Sequence, residues 1–98
     1  MQSKILYIDM DNVIVDFKSG INKLSENQKL KYKGRLDDVP GIFSLMAPME
    51  NAIESVEILS KSFDTYLLST APWDNPSAWS DKVMWVKKYL GETAVKRL

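Results

Sequence analysis

Two carboxylates, Asp9 and Asp11, stand on alternate positions of YIDMDNVIVDF, residues 7–17, with apolar residues on either side. Such a pattern leads toward an interior, where an unpaired charge is costly, so these acids must meet a ligand, a partner or a turn. Where a strand gives out, a backbone turn between positions 9 and 11 lets both side chains address one space. It also aims N–H groups, from Met10 to Asn12, at that space. Carboxylate oxygens for Mg²⁺, with Asp9 and Asp11 as its ligands, and N–H donors for the anion it carries would make a metal and phosphate site. The same acids also suit a helix N-cap and a turn residue ahead of an apolar stripe that begins at Val13. A second cluster, Ser69, Thr70 and Ala71, closes another apolar run and brings hydroxyls to a second strand end.

The elements that must position these groups can be read from spacing. Residues 4–8 form a short run of strand formers. After it, Ile14, Phe17, Ile21 and Leu24 step as one helical face from Val13 onward. Residues 25–41 are polar, punctuated by Gly34 and Pro40-Gly41, and read as an exposed connection with one short helix. Their basic run, Lys29, Lys31, Lys33 and Arg35, suits either a solvated surface or a substrate-facing one. Pro48 can open a helix with Met49, Ala52, Ile53, Val56 and Leu59 on its apolar face. Residues 63–68 read as a second strand, 73–80 as loop, and Asp81 as the N-cap of a helix with Trp79, Val83, Val86 and Leu90 on one face, stopped at Gly91. Strands separated by helices imply a parallel pair in an α/β layer, whose ligands sit beyond the carboxyl ends of the strands. If the two strands are neighbours, residues 9–12 and 69–71 face one pocket.

Composition narrows the chemistry further. The 98 residues carry 13 basic and 13 acidic side chains, so no net charge advertises a nucleic-acid polymer or a membrane surface. With no cysteine and no histidine, disulfides, thiolate metal sites, imidazole zinc ligands and an imidazole base are excluded. The apolar start is too short, and too soon broken by acids, for a signal peptide or a membrane span, so a cytoplasmic location is expected.

DMDNVIVDF resembles the first motif of the haloacid dehalogenase superfamily, and its wording is nearest to the 5'(3')-deoxyribonucleotidases of that superfamily. YLLSTAP resembles the second motif, and PGIFSLMAPMENAIESVEILSK and KVMWVKKYLG read like the same branch, so nearly the whole chain is covered. The resemblance implies a Rossmann-like parallel sheet with a small helical cap inserted at about residues 18–47, in a single domain over 1–98. It also implies an Mg²⁺-dependent phosphatase acting on deoxyribonucleoside monophosphates. Asp9 would attack phosphorus and form an aspartyl-phosphate. Asp11 would protonate the leaving oxygen and later take a proton from water. Met10, Asn12, Thr70 and Ala71 would bind the phosphate. Phe17 matches an aromatic at the base-binding part of the family's cleft, although it also continues the Ile14 face. Trp73, a loop tryptophan with no core stripe to explain it, is the second candidate for stacking a base. Trp79 and Trp85 are assigned to packing.

Two further motifs of the family, a lysine that neutralises the phosphate and a later acidic pair, fall beyond KRL, and Lys87, Lys88 and Lys96 do not match the lysine. The resemblance therefore implies a sheet cut short after its second strand and following helix, with two acids lacking their cation. Loss of one stabilising donor commonly slows phosphoryl transfer ~100-fold or more, which leaves the activity of these 98 residues open. A parallel pair with bare edges invites self-association or a completing chain. A noncatalytic phosphate- or metal-binding fragment with an assembly or regulatory role is the alternative.

Overall fold

In the computed structural model, which describes residues 4–98, the first apolar run is strand β1, Ile5–Asp9. The helix expected from Val13 is replaced by a tight loop. Asn12 takes a left-handed backbone, φ 62°, and the Met10 carbonyl accepts from the N–H groups of Val13, Ile14 and Val15 at 3.2, 3.0 and 2.9 Å. Ile14 is buried from that loop, so burial produced the spacing without helical backbone. A two-residue strand β2, Val15–Asp16, follows. Helix α1 is only Phe17–Ile21, with Asp16 as its N-cap. Helix α2, Glu26–Lys31, is the short helix expected in the polar connection, and Ser25 and Gln28 close a capping box at its start.

After 3-10 turns at Leu36–Asp38 and Ile42–Leu45, strand β3, Ala47–Pro48, pairs antiparallel with β2. Pro48 thus lies in a short strand, not at the head of a helix. Helix α3, Ala52–Ser62, starts four residues later, behind a left-handed Asn51 with φ 65°. Strand β4, Asp64–Leu68, agrees with the reading. Helix α4, Ala78–Tyr89, has Ser77 at its N-cap position, which places Asp81 in the first turn, not at the cap.

The packed face of α4 is also rotated from the one expected. Ala78, Lys82, Trp85 and Val86 are buried, while Trp79 and Val83 are largely exposed. Trp85 fixes this rotation. Its indole N–H donates to the Met46 carbonyl at 3.0 Å, and its ring lies 4.8 Å from that of Tyr89.

β1 and β4 pair in parallel, Ile5 opposite Asp64 and Asp9 opposite Leu68. This is the α/β layer expected, with a second small antiparallel pair that was not. Alternation gives the parallel pair two unlike faces. Thr65 and Leu67 are buried and Ile8 packs on the main core, which gathers Val39, Ile42, Phe43, Met46, Val56 and Trp85. On the other face Ile5, Tyr7 and Leu68 are exposed. The C-terminal residues hold the outer edge of β4. The Leu67 N–H donates to the Arg97 carbonyl at 2.6 Å, and Arg97 pairs with Asp64 while its guanidinium lies 4.5 Å from the Tyr66 ring centroid. The hydrogen bond to Asp64 is the main reason that the Arg97 pKa is raised. Among the described residues no helix is long and apolar enough to cross a membrane.

Candidate functional site

Parallel pairing puts the carboxyl ends of β1 and β4 side by side, so the loops after Asp9 and after Leu68 leave from the same end of the sheet. A cavity of about 440 Å³ opens there. Asp11, Asn12, Thr70, Ala71 and Pro72 line it from the strand-end loops, Phe17 and Phe43 give it an aromatic wall, and residues 34–37 close the far side. The two phenyl rings meet edge to face at 5.9 Å. Of the basic run at 29–35, Arg35 reaches the lining. It stacks on Tyr32 at 4.7 Å.

The decisive side chain behind the cavity is Lys82, which is 1% exposed. Its ammonium donates to Asp11 Oδ2 at 3.2 Å, to Ser69 Oγ at 2.7 Å and to the Thr70 carbonyl at 2.5 Å. It also lies 4.5 Å from the centroid of the Phe43 ring. Three acceptors match the three N–H donors of an ammonium, which is what a buried lysine requires. Lys82 therefore ties the loop after β1 to the loop after β4. Asp11 does have a cation, which corrects the expectation for that carboxylate, while among the described residues Asp9 accepts only from the Met10 N–H. The signal was present in the sequence. Positions 78, 82, 85, 86 and 89 follow helical spacing through Trp85, and only the choice of Trp79 and Val83 as the buried stripe hid the lysine.

The remaining candidates separate. Asp11, Asn12, Phe17, Thr70 and Ala71 share the cavity. Met10 is buried in the core. Its N–H is taken by Asp9 Oδ1 at 2.8 Å, and the Asn12 N–H by the Val15 carbonyl at 2.8 Å. Both backbone donors named for phosphate are thus occupied within the loop. Asp9 is exposed at the end of β1, on the same face as Tyr7, and lies outside the cavity lining. Trp73 is 97% exposed and also stands outside it.

The donor set can be tested against Mg²⁺. Asp11 Oδ1 is buried without a partner among the described residues, a hard oxygen in need of a cation or a donor. No group of three acids, histidines or cysteines placed to hold a metal occurs among the described residues. Protein-bound Mg²⁺ commonly keeps several waters and takes one or two carboxylates together with a substrate phosphate, so Asp11 with its orphaned Oδ1 fits the ion on those terms, whereas Asp9 stands outside the cavity lining.

No family model matches the chain. A protein of Vibrio phage KVP40, named "Putative 5'(3')-deoxyribonucleotidase", is 61% identical over 94 residues, 96% of this chain and 55% of the phage protein. This chain is homologous to the proteins of that name. Those of Staphylococcus aureus strains Mu50 and MRSA252 are each 31% identical over 111 residues, 92% of this chain and 61% of theirs. The chain spans little more than half the length of these relatives. The homology agrees with the motif resemblance at DMDNVIVDF and YLLSTAP.

Proposed function

We propose that the strand-end cavity is the nucleotide site of an Mg²⁺-dependent phosphomonoesterase of the haloacid dehalogenase type that hydrolyses deoxyribonucleoside monophosphates. The observation that carries this reading is the meeting of Asp11, Thr70 and buried Lys82 where two parallel strands end, beside a cavity walled by Phe17 and Phe43. The relatives' names point to the same substrate class.

An Asp9 carboxylate oxygen forms a bond to phosphorus as the bond from phosphorus to the ribose oxygen breaks, giving an aspartyl-phosphate. Asp11 delivers a proton to the departing oxygen, then takes one from the water that cleaves the intermediate and frees Asp9. Thr70 and the backbone at Ala71 offer donors to the phosphoryl oxygens. Lys82 holds Asp11 and the 69–71 loop in fixed relation and brings positive charge to a site that must receive an anion. Asp9 and Asp11 are the residues that would hold Mg²⁺, which when bound neutralises charge on the transferring group. Phe17 and Phe43 offer an aromatic wall to the nucleobase.

The exposed position of Asp9 favours a second reading, a noncatalytic fragment that binds phosphate or metal through Asp11 and Thr70. A panel of deoxyribonucleoside monophosphates with MgCl₂, measured for phosphate release beside Asp9→Asn, separates the two. Release that disappears in Asp9→Asn supports the phosphatase. Binding by calorimetry without release supports the second reading, and release unchanged in Asp9→Asn overturns the aspartyl-phosphate route.

A further inference from the structure

Asn75 is 2% exposed and takes no part in the proposed chemistry. It stands in the loop that runs from Thr70, Ala71 and Pro72 to α4. Its side-chain amide donates to the Asp37 carbonyl at 2.9 Å and to the Val39 carbonyl at 3.1 Å, and its Oδ1 accepts from the Ser77 hydroxyl at 2.9 Å. The Ser77 oxygen in turn accepts from the Gly41 N–H at 3.2 Å. The backbone of Asn75 is committed to its own loop. Its N–H donates to the Pro72 carbonyl at 3.1 Å, and its carbonyl accepts from the Ala78 N–H at 3.0 Å. A buried carboxamide with both N–H groups and its oxygen satisfied fixes the direction as well as the distance of what it holds.

The two segments joined in this way are two walls of the strand-end cavity. Thr70, Ala71 and Pro72 line it on one side, and residues 34–37 on the other. Among the described residues, Asn75 and Ser77 make every hydrogen bond between residues 34–41 and residues 70–77. The polar segment has little else to hold it, since Val39 is the one fully buried residue between positions 31 and 41. Apolar burial is non-directional, so Val39 seats the segment and the amide sets where its wall stands. The phosphate end has a different anchor, because Lys82 ties Asp11, Ser69 and the Thr70 carbonyl. We infer that Asn75 is a positioning residue for the base end of a bound nucleotide. It holds the 34–37 wall across from Thr70, so that the nucleobase meets a fixed surface, while Lys82 governs the phosphate end. This role rests on the reading of the cavity as a nucleotide site.

The test measures binding by calorimetry, in MgCl₂, of dAMP, dCMP, dGMP and dTMP and of 2-deoxyribose 5-phosphate, which carries the phosphate and no base. With the unaltered chain at least one nucleotide should bind more tightly than the sugar phosphate. Asn75→Ala should weaken that nucleotide about tenfold or more and leave the sugar phosphate unchanged. Ser77→Ala removes only the outer half of the clasp and should act in the same direction to a smaller extent, whereas Ser77→Thr keeps the hydroxyl and should restore binding. This pair carries the test where circular dichroism shows Asn75→Ala unfolded. Val56→Ala, in the core on α3, lowers stability without touching the clasp and should leave the ratio of the two affinities unaltered. Four results would overturn the role: no nucleotide bound more tightly than the sugar phosphate, equal losses for both ligands, no loss for either, or the same change of ratio in Val56→Ala. Nucleotide bound in the expected pattern with no phosphate released ends the phosphatase reading and leaves Asn75 its role. Phosphate released from nucleotides with a KM that neither Asn75→Ala nor Ser77→Ala alters ends the role and leaves the phosphatase.

Discussion

Asp9 and Asp11 occupy alternate positions yet differ in every physical respect. Asp9 is exposed and accepts one local bond, from the Met10 N–H. Asp11 has one oxygen on a buried lysine and the other orphaned. Asp9→Asn should therefore change folding stability by no more than about 0.5 kcal/mol, the usual range for exposed positions, while phosphate release is lost. Urea titration beside the phosphatase assay checks this, and a large stability loss would make the activity result uninformative about chemistry. Lys82→Met is the opposite case. It strips Ser69, the Thr70 carbonyl and Asp11 of a shared donor, and the partial exposure of Asp11 lets water recover some of the loss. A destabilisation of ~1–3 kcal/mol is expected in urea. A double-mutant cycle with Asp11→Asn should show coupling of at least ~0.5 kcal/mol, and additive losses would mean that the contact carries no energy.

Among the elements, α1 depends on one small residue. A Cβ at Gly20 would stand 2.7 Å from Met46 Cγ and 3.3 Å from the Ile42 carbonyl oxygen, so α1 packs against the Ile42–Leu45 turn only because position 20 lacks a side chain. By helix propensity alone a glycine at position 20 is a weakness. In the structure it is a close approach, and Gly20→Ala should cost about 1–3 kcal/mol through overpacking despite alanine's better helix propensity. A rise in thermal midpoint instead would show that Met46 moves aside at little cost. Both principal strands were legible because short apolar runs beside acids and turn residues leave few alternatives. The loop after Met10 was not, since a buried turn and a helix both place Ile14 and Phe17 inward, and what decides between them is a carbonyl accepting three N–H groups. The stripe on α4 failed for another reason. Tryptophan and valine look more buried than lysine by type, whereas here Lys82 finds three acceptors and Trp79 finds none of the core.

At the scale of the molecule, the two faces of the parallel pair set what the chain can do. The core side holds the strands in register and carries Asp11 and Thr70 to the cavity, while the other side leaves Ile5, Tyr7, Leu68 and Asp9 in solvent. An apolar face that contributes nothing to folding in this state should tolerate charge. Ile5→Lys and Leu68→Lys are each expected to shift stability by no more than about 0.5 kcal/mol in urea, and the pair should lower the fluorescence of a hydrophobic-surface dye such as ANS, because the patch it binds is broken up. The opposite pattern, a loss of about 2 kcal/mol or more with no dye bound beforehand, would mean that the chain already buries this face in solution. The exposed position of Asp9 would then need another explanation, since it follows from the same uncovered side of the sheet.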